Sequence, residues 1–193
     1  MKEDSTPYLG HVEIPIFQRH KVHVCCDPNH DCAFVAQFRE LFRLYVELQV
    51  SDARLDLSRR HIETDDSIEQ VVRQSVLKDS VVSVVLLGPE TWRSRVVDWV
   101  IAASIRETVD TVRSGLFGIF LPVHPDFGKP VYDPRRIPPR LHANLTCDYA
   151  AVHDWSEDPR IVFPWIHAAF RRRSLVRPDN RLPLLLADRS EAG

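Results

Sequence analysis

Potential chemistry is concentrated between positions 20 and 32, where His20, His23, Cys25, Cys26, His30 and Cys32 supply metal ligands, a thiol nucleophile and a base. A metal site is not expected from them. No C-x-x-C spacing occurs, and a strand through KVHVC turns His23 and Cys25 to one face and Cys26 to the other. Cys26 is the nucleophile candidate, with His30 four residues on in a turn as its base; the competing expectation is a buried, inert thiol. Further along, Arg93, Arg95 and Asp98 can pair with one another or hold an anion. Trp92 and Trp99, seven apart, share a helical face, an arrangement that more often packs than stacks on a base. The Rossmann, P-loop, nucleophile-elbow and zincin patterns are all missing, which removes support for those enzyme classes.

The element that positions these groups is residues 80–105, SVVSVVLLGPETWRSRVVDWVIAASI. Its aliphatic, β-branched opening predicts a strand buried on both faces, stopped at Gly88 and Pro89. The helix that follows has Val96, Val97, Val100, Ile101, Ser104 and Ile105 on one stripe. In an open α/β sheet ligands bind outside the carboxyl ends of the strands, which places residues 88–92 where a site belongs. A first strand over residues 21–25 ends at Cys25-Cys26-Asp27. Phe34, Phe38, Leu41, Phe42, Tyr45 and Leu48 predict a helix over 31–49 with Asp31 as its N-cap. Residues 50–60 suit an edge strand or an irregular loop. Asp65 and Asp66 open a second helix, Arg113-Ser114-Gly115 closes the central one, and LFGIFL (116–121) is another strand. Residues 122–140 hold six prolines and form a long loop of binding or covering type. A last strand is expected over 143–151 and a last helix over 158–173. These alternations give an α/β fold of flavodoxin-like order, a three-layer sandwich around a mainly parallel sheet of about five strands.

With 193 residues and 44% hydrophobic composition the chain suffices for one domain. The expected division is an N-terminal arm (1–19, with an apolar patch at Ile14, Ile16 and Phe17), the domain (20–174) and a C-terminal tail (175–193) whose residues 184–186 dock on it. A net charge of −2 gives no general attraction to nucleic acid or to an anionic membrane. No apolar run reaches spanning length and the start lacks a signal-peptide pattern, so a cytoplasmic protein with free thiols is expected.

The segments VVSVVLLGPETWRSRVVDWVIAAS, RSGLFGIFLP, IPPRL and PWIHAAFRRR together resemble the TIR-like family, the bacterial and archaeal relatives of Toll/interleukin receptor domains that include the signalling subunit of Thoeris anti-phage systems. The resemblance runs from Lys21 to Arg173. It implies the same flavodoxin-like fold, and an activity in which the glycosidic bond of NAD is cleaved, nicotinamide is released and some members make a cyclic or conjugated ADP-ribose signal. It also implies self-association or an effector protein as partner, with NAD or a related nucleotide as ligand and no permanently bound cofactor.

Two positions depart from the family. Its catalytic glutamate lies in a pattern close to V-D-W-E-I, which here is Val97-Asp98-Trp99-Val100-Ile101, so Val100 replaces the carboxylate. An apolar side chain can neither hydrogen-bond a ribose hydroxyl nor stabilise the developing positive charge. Asp98 is turned about 200° away along a helix, and Glu107 lies about 10 Å further on. At the end of the first strand an aromatic residue gives way to Cys26-Asp27. The implied crevice is lined by Cys25, Cys26, Asp31, Gly88, Thr91, Trp92 and Val100, with Cys26, Asp27 and Asp98 as candidate replacement catalytic groups. The expectation is therefore a TIR-like protein of immune signalling, either a nucleotide-processing enzyme or a catalytically degenerate module for nucleotide binding or assembly. A receiver-like phosphoacceptor ranks last, because no acidic pair with a suitable lysine is visible.

Overall fold

The computed structural model describes residues 8–9, 12–13, 19–49, 65–77, 79–109 and 111–190. Its centre is the expected apolar strand, Val82–Leu87 (β3), in which every residue is buried. With β1 (Lys21–Cys25), β2 (Glu47–Gln49), β4 (Gly115–Phe120) and β5 (Val152–Asp154) it forms a five-stranded, all-parallel sheet of order β2-β1-β3-β4-β5. That is the flavodoxin-like order, and its register pairs Cys25 with Val85 and Leu87 with Phe120. In β3, Val82, Val84 and Leu86 face α1 (Cys32–Phe42) and α5 (Pro159–Leu175) through Phe38, Phe42, Val162 and Ile166. Val85 and Leu87 face α2 (Asp65–Val72), α3 (Arg95–Ile105) and α4 (Pro139–Thr146) through Val72, Ile101 and Leu141. Period-two alternation along a buried strand thus produces three layers with one apolar cluster on each side of the sheet. Cys25 and Cys26 fall into opposite clusters, as the alternation requires, and both are free thiols.

Several boundaries differ from the sequence expectation. The helix from residue 31 ends at Phe42, and Glu47–Gln49 leaves it to pair as an edge strand with β1, a three-residue strand too short to show a period of its own. The central helix ends at Ile105, so Glu107 lies beyond it in a loop and pairs with Arg113 at 3.2 Å. Gly115 opens β4 rather than closing a helix: a Cβ there would stand 2.1 Å from the Ala169 carbonyl oxygen, so its lack of a side chain lets α5 lie directly on the sheet. Where a strand is expected over 143–151, the chain instead finishes α4 at Thr146 and turns through 147–151; the helix starts with Pro139 in its first turn and turns Leu141 inward. The true last strand is Val152–Asp154. Of the expected loop 122–140, residues 122–138 fold around buried Asp126, which accepts from the Asp133 N–H at 2.9 Å and from Lys129 at 3.1 Å, and Pro139 and Arg140 open α4. The edge-strand segment 50–60 and the apolar patch Ile14, Ile16 and Phe17 lie outside the described residues; of the arm, Tyr8–Leu9 pairs antiparallel with Val12–Glu13. Among the described residues no helix is long and apolar enough to cross a membrane.

Burial inside the sheet layer makes stability depend on pH. His23, on β1 and 1% exposed, is held at about 4 by desolvation, against 6.5 in a free side chain. Because the folded value is depressed, the unfolded chain binds the extra proton between these values. Stability is complete above pH 6.5 and falls as the pH drops towards 4. The expected loss from this group is about 2 kcal/mol between pH 7.5 and pH 5, read from urea unfolding. The His23→Phe variant should lose correspondingly less over that interval; an equal loss would assign the effect to other groups.

Candidate functional site

The strand order reverses between β1 and β3, so the loops after those strands border the crevice where α/β sheets bind ligands. The two loops are joined by a buried hydrogen-bonded contact. Thr91 Oγ1 accepts from the Gly88 N–H at 2.8 Å and donates to Asp31 Oδ2 at 3.0 Å, and both side chains are essentially excluded from solvent. A Cβ on residue 88 would lie 2.1 Å from Asp31 Oδ1, so glycine is required there by the carboxylate. Asp31 occupies the N-cap position of α1, but its side chain caps no helix N–H because it is turned across to Thr91. Burial pushes its carboxyl group above the usual carboxylate range.

Above this floor lies a cleft of about 470 Å³, lined by Asp27, Asn29, His30, Glu90, Arg93, Ser94 and Asp188. Asp27 is buried, and its Oδ2 meets Nδ1 of the half-exposed His30 at 2.5 Å. The hydrogen bond to Asp27 raises the His30 pKa above its ordinary value. Glu90 holds Arg93 at 2.8 Å. The cleft thus combines three carboxylates with one guanidinium and one ionisable imidazole, a set able to hold a cationic ring on one side and to exchange a proton at His30.

One wall comes from far along the chain. Residues 177–190 form a strap over α3, and this strap explains why α3 is buried from Val97 to Ile105 instead of presenting a polar outer face. Trp99 Nε1 donates to the Leu185 carbonyl at 2.8 Å, Leu184 enters the apolar cluster, and the Arg95 N–H donates to Asp188 at 2.9 Å. Asp98 accepts from Arg140 Nε at 2.9 Å and from the Leu185 N–H at 3.0 Å. Arg140, 1% exposed, also donates to Asn180 Oδ1 and the Pro183 carbonyl.

Of the residues singled out from sequence, Asp27 lines the cleft, and Asp31, Gly88 and Thr91 build its floor. Cys25 and Cys26 sit in the sheet's two apolar clusters; burial pushes Cys25 up to about 12 and Cys26 higher still, so neither supplies a thiolate near neutral pH. His30 serves Asp27, not Cys26. Asp98 is consumed by Arg140 and the strap. Val100 is 3% exposed inside the apolar cluster and does not line the cleft. Trp92 and Trp99 do not share a helical face: Trp92 lies on the 3-10 turn Thr91–Arg93, and Ser94 is extended before α3 begins. Arg93 and Arg95 instead lie over their rings, at 5.7 and 5.4 Å. Asn29, Glu90, Ser94 and Asp188 were missed. The first three follow from the loops themselves, whereas nothing local to Asp188 points to the cleft.

A larger hollow of about 850 Å³ opens at the opposite end of the sheet, beside Glu69, Arg73, Arg106 and Arg173. There Arg73 donates to Thr111 and Arg106 pairs with Glu69 at 2.6 Å, a polar network at the amino ends of the strands, away from the switch point.

An all-parallel β2-β1-β3-β4-β5 sheet with a polar cleft between the β1 and β3 loops defines a flavodoxin-like α/β domain of TIR-like type. The chain belongs to the TIR-like domain family of Thoeris protein ThsB, whose family model matches residues 22–125, more than half of its length. Against individual curated proteins it has no significant match.

Proposed function

We propose that this protein acts in anti-phage signalling as a TIR-like module that binds NAD or a related nucleotide in the strand-end cleft without cleaving it by the family's glutamate route. The observation that carries this reading is the state of α3. Position 100 is a valine packed in an apolar cluster, and the nearby carboxylate, Asp98, is neutralised by Arg140. Neither can meet the positive charge that develops on a ribose as a glycosidic bond breaks. Binding is supported by the cleft's mixed charge. The carboxylates of Asp27 and Glu90 suit a cationic nicotinamide ring, and Arg93 suits a phosphate.

A second reading, a nucleotide-processing enzyme with relocated groups, is favoured by the Asp27–His30 pair at 2.5 Å. One experiment separates the two: titration calorimetry with NAD and ADP-ribose, run beside a chromatographic assay for released nicotinamide. Binding without release supports the module. Release that is lost in His30→Ala supports the enzyme, and an absence of binding to either compound removes both readings.

A further inference from the structure

The strap over α3 has two unequal halves. Residues 177–185 are tied to buried groups: Asp179 exchanges hydrogen bonds with Asn144, Asn180 receives from Arg140, and Leu185 spans Asp98 and Trp99. From Leu186 to Ser190 every residue is exposed and none enters an apolar cluster. This outer half is held by polar contacts to two arginines. Arg95 donates through its backbone N–H to Asp188 Oδ1 at 2.9 Å and through Nη1 to the Leu186 carbonyl at 3.2 Å. Arg93 donates through Nε to the Arg189 carbonyl at 2.7 Å and accepts from the Arg189 N–H at 3.0 Å. Asp188 also forms part of the cleft wall.

These are the contacts an anionic ligand would seek. Within residues 187–190 the Asp188 carboxylate and the Arg189 carbonyl occupy a first-turn helix N–H and the Arg93 guanidinium, a donor set that phosphate oxygens take elsewhere. We propose that residues 187–190 are a displaceable cover that occupies in cis the phosphate positions of the strand-end cleft, so that a nucleotide binds by moving the outer strap aside while the inner strap stays on α3. The proposal rests on the nucleotide-binding reading of that cleft and adds its regulation. The outer strap, tethered to the inner one, competes at high local concentration, so intrinsic affinity is masked by the fraction of closed chains.

The test compares the full chain with a chain ending at Leu186 as a C-terminal amide, which sets no new carboxylate beside Arg95, and with the full-length Asp188→Asn variant, each titrated with ADP-ribose by calorimetry. The shortened chain retains Leu184, Leu185 and the Asp98–Arg140 pair, so its fold is expected to persist, with an unfolding midpoint close to that of the full chain. At least tenfold tighter binding by the shortened chain, and a smaller gain in Asp188→Asn, is the expected result. Hydrogen exchange provides a second reading on the unmodified protein: ADP-ribose should raise exchange at the Arg189 amide, which the strap otherwise protects through Arg93. Equal affinity of all three chains would overturn the cover while leaving the binding reading intact. Absence of binding even in the shortened chain would overturn both. A fall in Arg189 exchange on adding ligand would place the ligand over the strap, and would also overturn the cover.

Discussion

Replacing Arg140 with methionine is expected to remove about 3–5 kcal/mol of folding stability, measured by urea unfolding at pH 7. Arg140 is 1% exposed and its guanidinium is the hub between α4, α3 and the strap: Nε and Nη2 bond both oxygens of Asp98, Nη1 reaches Asn180 and Nη2 also reaches the Pro183 carbonyl. The size of the loss comes less from the attraction than from what is left behind. Asp98, 3% exposed, would stay buried with one backbone N–H as its remaining donor, and an uncompensated buried charge is among the most destabilising lesions a core can carry. The double variant Asp98→Leu with Arg140→Met should recover most of that loss, because apolar packing of similar volume replaces a buried ion pair at little net cost. A single-variant loss below about 1 kcal/mol would instead mean that the pair is solvated.

Restoring the family's carboxylate by Val100→Glu is expected to destabilise the protein, not to activate it. Residue 100 is 3% exposed among Val97, Ile101 and their neighbours, and burial of a carboxyl group in such surroundings shifts its pKa upward by up to 3–5 units. The cost at pH 7 is on the order of 4 kcal/mol. A raised folded pKa places the penalty above the unfolded carboxyl value of about 4.3, so it grows with pH through neutrality until the raised value is passed and fades as the pH falls to about 4.3. Val100→Gln, which cannot ionise, should lack this pH dependence. Unfolding curves of both variants at pH 4 and pH 7, taken against the unmodified chain, supply the check. A Val100→Glu protein of undiminished stability that releases nicotinamide would show that the cleft extends to α3 and that the apolar surroundings of residue 100 open in solution.

What was legible in the sequence follows from where each element gets its instructions. β3 carries its own: six residues buried on both faces need a continuous aliphatic run, and the run is visible. α1 and α5 bury one stripe each against the sheet, so their periodicities of three and four survive in the text. β2 and β5 are three-residue strands whose pairing is decided by their neighbours, and no local pattern separates them from a helix end or a loop. α4 was hidden behind Pro138 and Pro139, which were read as loop although proline is well suited to a first helical turn. The stripe on α3 is present, yet its outer face is also buried, because the strap residues bonded to it come from 78 to 93 positions away. The cleft divides in the same way. Asp27, Asp31, Gly88 and Thr91 lie at strand ends that the alternation of elements locates. The bond from Asp31 to Thr91 and the wall supplied by Asp188 depend on tertiary contact, and the thiols of Cys25 and Cys26 looked available only until their burial was known.

The strap also sets an order on synthesis. The strap's contacts on α3 come from residues made long after the helix, so Trp99 and neighbouring apolar surface stay open until Leu184 and Leu185 have been added. Asp98 waits for Arg140, 42 positions downstream, and at elongation rates of about 5–20 residues per second that interval lasts seconds. Loss of residues 177–190 would therefore leave this sheet formed beneath an unsealed helix, a species suited to capture by chaperones or proteases.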